Sequence, residues 1–193
     1  QFKDSVGNET DIISDSIIVD TIPPTGTLTF DALTNTTNIA IQPGSTDATE
    51  MIISNNATFS GANWENYSSN KSWIITPGDG LKTIYIKYRD IAGNESNTIS
   101  KNITLDTTAP TCSVTLNGGN DYYNAYTVSV AHSSDDSGGS GVTEMRISED
   151  PNFTSVPFSS TNIDEFTIST NEGLKTVYMQ FKDQVGNIGT CSD

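Results

Sequence analysis

Lys87-Tyr88-Arg89-Asp90-Ile91-Ala92-Gly93-Asn94 occurs twice more as a near copy, in Gln1-Phe2-Lys3-Asp4-Ser5-Val6-Gly7-Asn8 and in Gln180-Phe181-Lys182-Asp183-Gln184-Val185-Gly186-Asn187. Each copy sets an aromatic residue two positions before Asp-x-x-Gly-Asn. An aspartate there can accept hydrogen bonds from the amides that follow it, while Gly, and Asn if needed, takes φ > 0, so the motif is expected to form a tight turn between two strands. A second marker follows the first two copies, Asp20-Thr21-Ile22-Pro23-Pro24-Thr25 and Asp106-Thr107-Thr108-Ala109-Pro110-Thr111. A third precedes the last two, Gly80-Leu81-Lys82-Thr83 and Gly173-Leu174-Lys175-Thr176. The chain therefore repeats with a period of about 86 to 93 residues, too short for two independent folds per unit. The expected division is 1–20 as the tail, or last strand, of a preceding repeat, 21–106 as a first repeat and 107–193 as a second.

Working outward from the motif, the apolar period is two. Ile84, Ile86 and Tyr88 fall on one face of their segment with Lys87 on the other, and Val177, Met179 and Phe181 repeat the pattern. Strands are expected at about 26–31, 37–42, 50–54, 63–67, 72–76, 82–89 and 97–105, then at about 112–117, 125–132, 142–149, 155–158, 164–169, 175–182 and from 188. Trp73 and Ile75, matched by Phe166 and Ile168, should face the core. Hydrophobic residues make up 34% and charged residues 17% of the chain, a profile of short strands joined by polar turns, with almost no helix. The expected fold is all-β: tandem immunoglobulin-like β-sandwiches with Greek-key connections.

Nine Lys and Arg against 24 Asp and Glu give a net charge of −15, which repels a phosphate backbone and an anionic membrane surface alike. Nucleic acid is not an expected partner. No apolar run approaches the roughly 20 residues that span a bilayer, so direct membrane insertion is not expected of this segment, and the N-terminus lacks the pattern of a signal peptide. Because the first residues already read as the middle of a repeat, the sequence is expected to be a piece of a longer protein. His132 is the only histidine and Cys112 and Cys191 the only cysteines, which leaves Ser-His-Asp, Cys-His and His-based metal catalysis little to work with. A carboxylate pair could serve a glycosidase, but the expectation is a non-enzymatic protein.

Met51-Ile52-Ile53-Ser54 and Met145-Arg146-Ile147-Ser148, Trp64-Glu65-Asn66-Tyr67, Gly80-Leu81-Lys82-Thr83-Ile84-Tyr85, the Tyr88–Asn94 turn and Asp106-Thr107-Thr108-Ala109-Pro110 together resemble the immunoglobulin-like repeats of large bacterial and archaeal surface proteins and adhesins. The resemblance covers nearly the whole chain. It implies an extracellular spacer or stalk whose partners are neighbouring repeats or identical subunits. The second repeat departs from the pattern in a Ser/Asp/Gly-rich insertion, Ser133-Ser134-Asp135-Asp136-Ser137-Gly138-Gly139-Ser140-Gly141, and in losing the equivalent of Trp64.

In such a sandwich the first strand, the loop between the second and third strands and the turn between the last two share one end. For the second repeat these supply Asp106, Asp135 with Asp136, and Asp183, with Asp79 offered from the first repeat. They are candidate hard-oxygen ligands for structural Ca²⁺, and Asp20, Asp47 and Asp90 are the equivalents one junction earlier. The plain alternative is a set of solvated turn aspartates. Cys112 and Cys191 approach at the same end, so a disulfide is expected; two buried thiols, or cysteines joining neighbouring subunits, are the alternatives. Asn35, Asn56, Asn66, Asn70, Asn102 and Asn152 sit in glycosylation sequons.

The leading functional expectation is a structural or adhesive stalk segment. One alternative is a filament or surface-layer subunit assembling head to tail by strand exchange, residues 1–20 completing the second repeat of another copy. Another is a module that grips a surface glycan or protein ligand with Trp64, Tyr67, or Tyr122, Tyr123 and Tyr126.

Overall fold

The computed structural model describes residues 1–193. Its strands are β1 (Gly26–Thr29), β2 (Leu33–Thr34), β3 (Asn38–Ser45), β4 (Glu50–Ser54), β5 (Glu65–Asn66), β6 (Lys71–Ile74), β7 (Gly80–Arg89) and β8 (Ile99–Leu105), followed by β9 (Thr111–Leu116), β10 (Thr127–Asp135), β11 (Val142–Ser148), β12 (Glu165–Thr167), β13 (Tyr178–Asp183) and β14 (Ile188–Ser192). A single 3₁₀ turn at Asn117–Gly119 is the whole helical content.

The period-two pattern explains the layers. In β7 alternate residues Ile84, Ile86 and Tyr88 are fully buried while Lys87 lies on the other face. They pack with Ile39, Ile41, Met51, Ile53, Ile75, Ile103 and Leu105 between a sheet of order β1-β3-β6 and one of order β2-β8-β7-β4-β5. The second sandwich repeats this with β12-β10-β9 facing β11-β13-β14, around Val114, Val130, Ile147, Val177, Met179 and Phe181. Antiparallel neighbours that are not consecutive in sequence, β3 beside β6 and β4 beside β7, give the Greek-key, immunoglobulin-like arrangement.

Several expected strands differ. The first one, 26–31, breaks at Phe30: β1 pairs antiparallel with β3, and the chain then crosses so that β2 pairs in parallel with β8, Leu33 opposite Thr104. No strand forms over 155–158; a single bridge, Met145 to Ser159, takes its place. Phe153 and Ser155 there have φ of 52° and 61°, and Pro157 has no N–H to give to a ladder. Instead Phe153 and Phe158 lie 4.7 and 4.3 Å from the Arg146 guanidinium. Residues 11–20 form no strand, because no ladder partner lies beside them, and Ile12, Ile13, Ile17, Ile18 and Val19 are exposed.

Candidate functional site

Three carboxylates meet where the first sandwich passes the chain to the second. Asp106 directly follows β8, and its N–H donates to Thr34 O at 2.9 Å. Asp136 directly follows β10, and Asp183 is the last residue of β13. Ligand oxygens of the three all lie within 4.8 Å of one another. Asp106 and Asp183 are 0% and 1% exposed, and Asp136 is partly buried.

Main-chain amides hold the group. Asp183 Oδ1 accepts the N–H groups of Val185, Gly186 and Asn187 at 3.0, 2.7 and 2.8 Å, the turn that Asp-x-x-Gly-Asn was expected to form. The Asn187 side-chain amide donates both to Asp183 Oδ2 at 2.7 Å and to Asp106 O at 3.0 Å. Asp106 Oδ2 accepts Ser140 N–H, and Asp136 Oδ2 accepts Gly141 N–H, each at 2.6 Å. A Cβ on Gly139 would stand 2.5 Å from Asp136 Oδ1, so a larger residue there would have to push this carboxylate aside.

Two observations favour a cation. Like charges no more than 4.8 Å apart repel by at least about 3.5 kcal/mol per pair at an effective dielectric near 20. Burial, and then the charges of Asp106, Asp183 and Asp135, push the Asp136 carboxyl above its ordinary value, although the Gly141 amide pulls it down. Second, the Ser140 hydroxyl oxygen is buried with no hydrogen-bond partner, beside the amide that binds Asp106. Carboxylate and hydroxyl oxygens without thiol or imidazole form a hard donor set, which fits Ca²⁺ better than zinc.

The other expected ligands do different work. Asp135 is exposed and accepts from Ser137 N–H at 3.1 Å. Asp79 clamps the linker, accepting Thr107 N–H and the hydroxyls of Thr107 and Thr108 at 2.9, 2.8 and 2.6 Å. Those hydroxyls, Thr108 first, hold its carboxyl below the ordinary value. One junction earlier, Asp90 is buried and orders its turn through Asn94, whose side chain reaches Asp20 O at 3.1 Å. Asp47 is exposed, and Asp20, Asp47 and Asp90 are not gathered into a cluster. The first sandwich lacks the Ser133–Gly141 insertion that carries Asp136 into place.

Cys112 in β9 and Cys191 in β14 form a disulfide with Cα atoms 5.8 Å apart. The matching place in the first sandwich is Gly26, where a Cβ would lie 2.3 Å from the Tyr88 ring. There Tyr88 Oη donates to Thr27 O at 2.5 Å and accepts Gly44 N–H at 3.1 Å, a hydrogen-bonded tie where the second sandwich has a covalent one.

Trp64 is stacked under the Arg89 guanidinium at 4.3 Å, and Tyr67 Oη accepts Ser45 N–H at 3.1 Å, so both are engaged in packing. Tyr122, Tyr123 and Tyr126 remain exposed on one loop. All six sequon asparagines, Asn35, Asn56, Asn66, Asn70, Asn102 and Asn152, are exposed, but Asn35 already donates to Val185 O of the second sandwich at 3.1 Å. The sequence singled out the insertion that carries Ser140, but not Ser140 within it. The asparagine of the repeated turn was visible, though not its reach to Asp106.

The strand order defines an immunoglobulin-like sandwich protein. No protein-family model matches the chain, and no curated protein matches it. Among solved structures it is similar to the fibronectin(III)-like modules of Clostridium thermocellum CbhA, at 11% identity over 86% of this chain and 90% of that one, with a TM-score of 0.47. A tetra-tandem repeat in the extending region of a large adhesion protein is 18% identical over 88% of this chain and 48% of that one, TM-score 0.29. Parabacteroides merdae β-glucuronidase is 13% identical over 90% of this chain and 25% of that one, TM-score 0.30. The chain thus spans about half of the adhesion-protein structure and a quarter of the glucuronidase. No helix is long and apolar enough to cross a membrane.

Proposed function

We propose that residues 21–106 and 107–193 are successive non-catalytic repeats of an extracellular surface protein, and that Ca²⁺ held by Asp106, Asp136 and Asp183 fixes one repeat against the next. Residues 1–20 then close a preceding repeat. The observation that carries this reading is the gathering of three carboxylates, two of them buried, at the point where the chain leaves one sandwich and enters the other. A divalent cation there offsets the mutual repulsion and ties the linker residue Asp106 to two loops of the second sandwich. Main-chain carbonyls and water would complete a shell of 6–8 oxygens, to which Ser140 can add its hydroxyl. The disulfide suits an oxidising, extracellular setting.

Calorimetric titration with Ca²⁺, paired with small-angle scattering in Ca²⁺ and in chelator, tests the proposal. One site per chain, together with a longer and stiffer particle in Ca²⁺, is the expected result. No heat up to millimolar Ca²⁺ and identical scattering curves sink it. A mass that rises with concentration would favour strand exchange through the exposed residues 11–19 instead.

A further inference from the structure

The disulfide has a mechanical consequence that follows from where it sits. Tension along the chain enters the second sandwich through the linker and reaches Cys112, the second residue of β9. It leaves along β14, in which Cys191 is the last residue but one. The bond joins these two points, which are 79 residues apart in sequence. Residues 113–190 lie inside the covalent loop, so a load between the two ends of this sandwich bypasses nearly all of its fold.

The first sandwich has no such path. Load entering at Gly26 and leaving at Leu105 is opposed by the β1–β3 ladder, by the two-residue parallel pairing of β2 with β8, and by the Tyr88 Oη bond to Thr27 O. All of these are non-covalent. We infer that the second sandwich is an inextensible load-bearing unit, whereas the first is the element of the pair that unfolds under tension. The smaller core cluster of the second sandwich, six buried apolar residues against eleven, makes the covalent bypass the decisive difference between them.

Single-molecule stretching of the chain, with handles at residues 1 and 193, tests this. Without reductant one rupture is expected, releasing about 270 Å of contour at ~3.4 Å per residue for the roughly 80 residues of the first sandwich. Tyr88→Phe should lower the force of that rupture, which assigns it to the first sandwich. Adding a phosphine reductant to the folded chain should produce a second rupture of similar length, and Cys112→Ser should show it without reductant. In-situ reduction keeps the test open if Cys112→Ser does not fold. Two ruptures without reductant, or no new rupture after reduction, overturn the inference. Loss of Ca²⁺ at the junction would change extension at low force but not the number of ruptures, so the two proposals fail separately.

Discussion

The side-chain amide of Asn187 donates to the main-chain carbonyl of Asp106 at 3.0 Å, tying a turn of the second sandwich to the residue that directly follows the last strand of the first. Asn94 makes the same bond to Asp20 at 3.1 Å, so the repeated Asn is a junction residue as well as a turn residue. Each Asn also donates to the Asp of its own motif, at 2.7 Å for Asn187 and 2.9 Å for Asn94. Removing both bonds with Asn187→Ala should destabilise the second sandwich by about 2 kcal/mol, and Asn94→Ala should do the same to the first. Both tryptophans, Trp64 and Trp73, lie in the first sandwich, so their fluorescence in urea reports that unit and amide NMR signals report the other. Equal midpoints for variant and native chains would show that these bonds do not hold the turns.

Asp136→Asn should act in opposite directions with and without the cation. In chelator it removes a charge from the repelling trio and should raise the melting temperature of the second sandwich. In saturating Ca²⁺ it should abolish the cation's stabilisation, which at a hundredfold excess over Kd is about 2.7 kcal/mol for one site. Differential scanning calorimetry under both conditions reads the change of sign. A lower melting temperature in chelator as well would mean that Asp136 serves only as a turn residue.

Replacing Cys112 and Cys191 together by serine should cost the second sandwich about 4.5 kcal/mol on the loop-entropy argument, because the bond closes 79 residues, and should leave the first sandwich unchanged. Urea melts followed by NMR signals of both units separate the two effects. An unchanged second midpoint would show that the unfolded chain is already compact enough for the bond to add little.

Gly26→Ala places a methyl group 2.3 Å from the Tyr88 ring and 2.6 Å from Gly44 O. Neither the fully buried ring nor the paired backbone can give way freely, so a loss of about 1–3 kcal/mol is expected in the first sandwich. Tryptophan fluorescence in urea measures it. A native-like midpoint would mean that the strand shifts to make room.

Asp150 organises the turn after β11 by accepting from Asn152 N–H at 2.9 Å and Thr154 N–H at 3.0 Å. Hydrogen bonds, that with the Thr154 side chain first, lower its carboxyl from 3.8 to about 2. A depressed folded value means that its contribution is complete above the unfolded value of 3.8 and fades as pH falls through about 2. The stability of the second sandwich should therefore decline between these values, and less steeply in Asp150→Asn. Acid titration followed by NMR decides it; identical slopes would remove Asp150 as a source of the acid sensitivity.

The sequence by itself determined the repeat, the sandwich and the faces of its strands. Ile84, Ile86 and Tyr88, or Val177, Met179 and Phe181, alternate with polar residues, and a strand with one buried face allows only one orientation. Cys112 and Cys191 were readable as a pair because a sandwich brings its first and last strands side by side. Which aspartates converge was decided only by the tertiary structure. Asp79, Asp135 and Asp136 look alike along the chain, yet Asp79 is drawn to threonine hydroxyls, Asp135 turns to Ser137, and Asp136 alone is carried by the inserted loop to Asp106 and Asp183. The missing strand at 155–158 has a similar origin, since Phe153 and Phe158 are taken by Arg146, a residue remote from them in neither sequence nor space but fixed only once β11 and β13 have paired. Periodicity is a local property that burial of one face enforces; the meeting of three loops depends on their lengths and on contacts between units, to which the alternation of residues is blind.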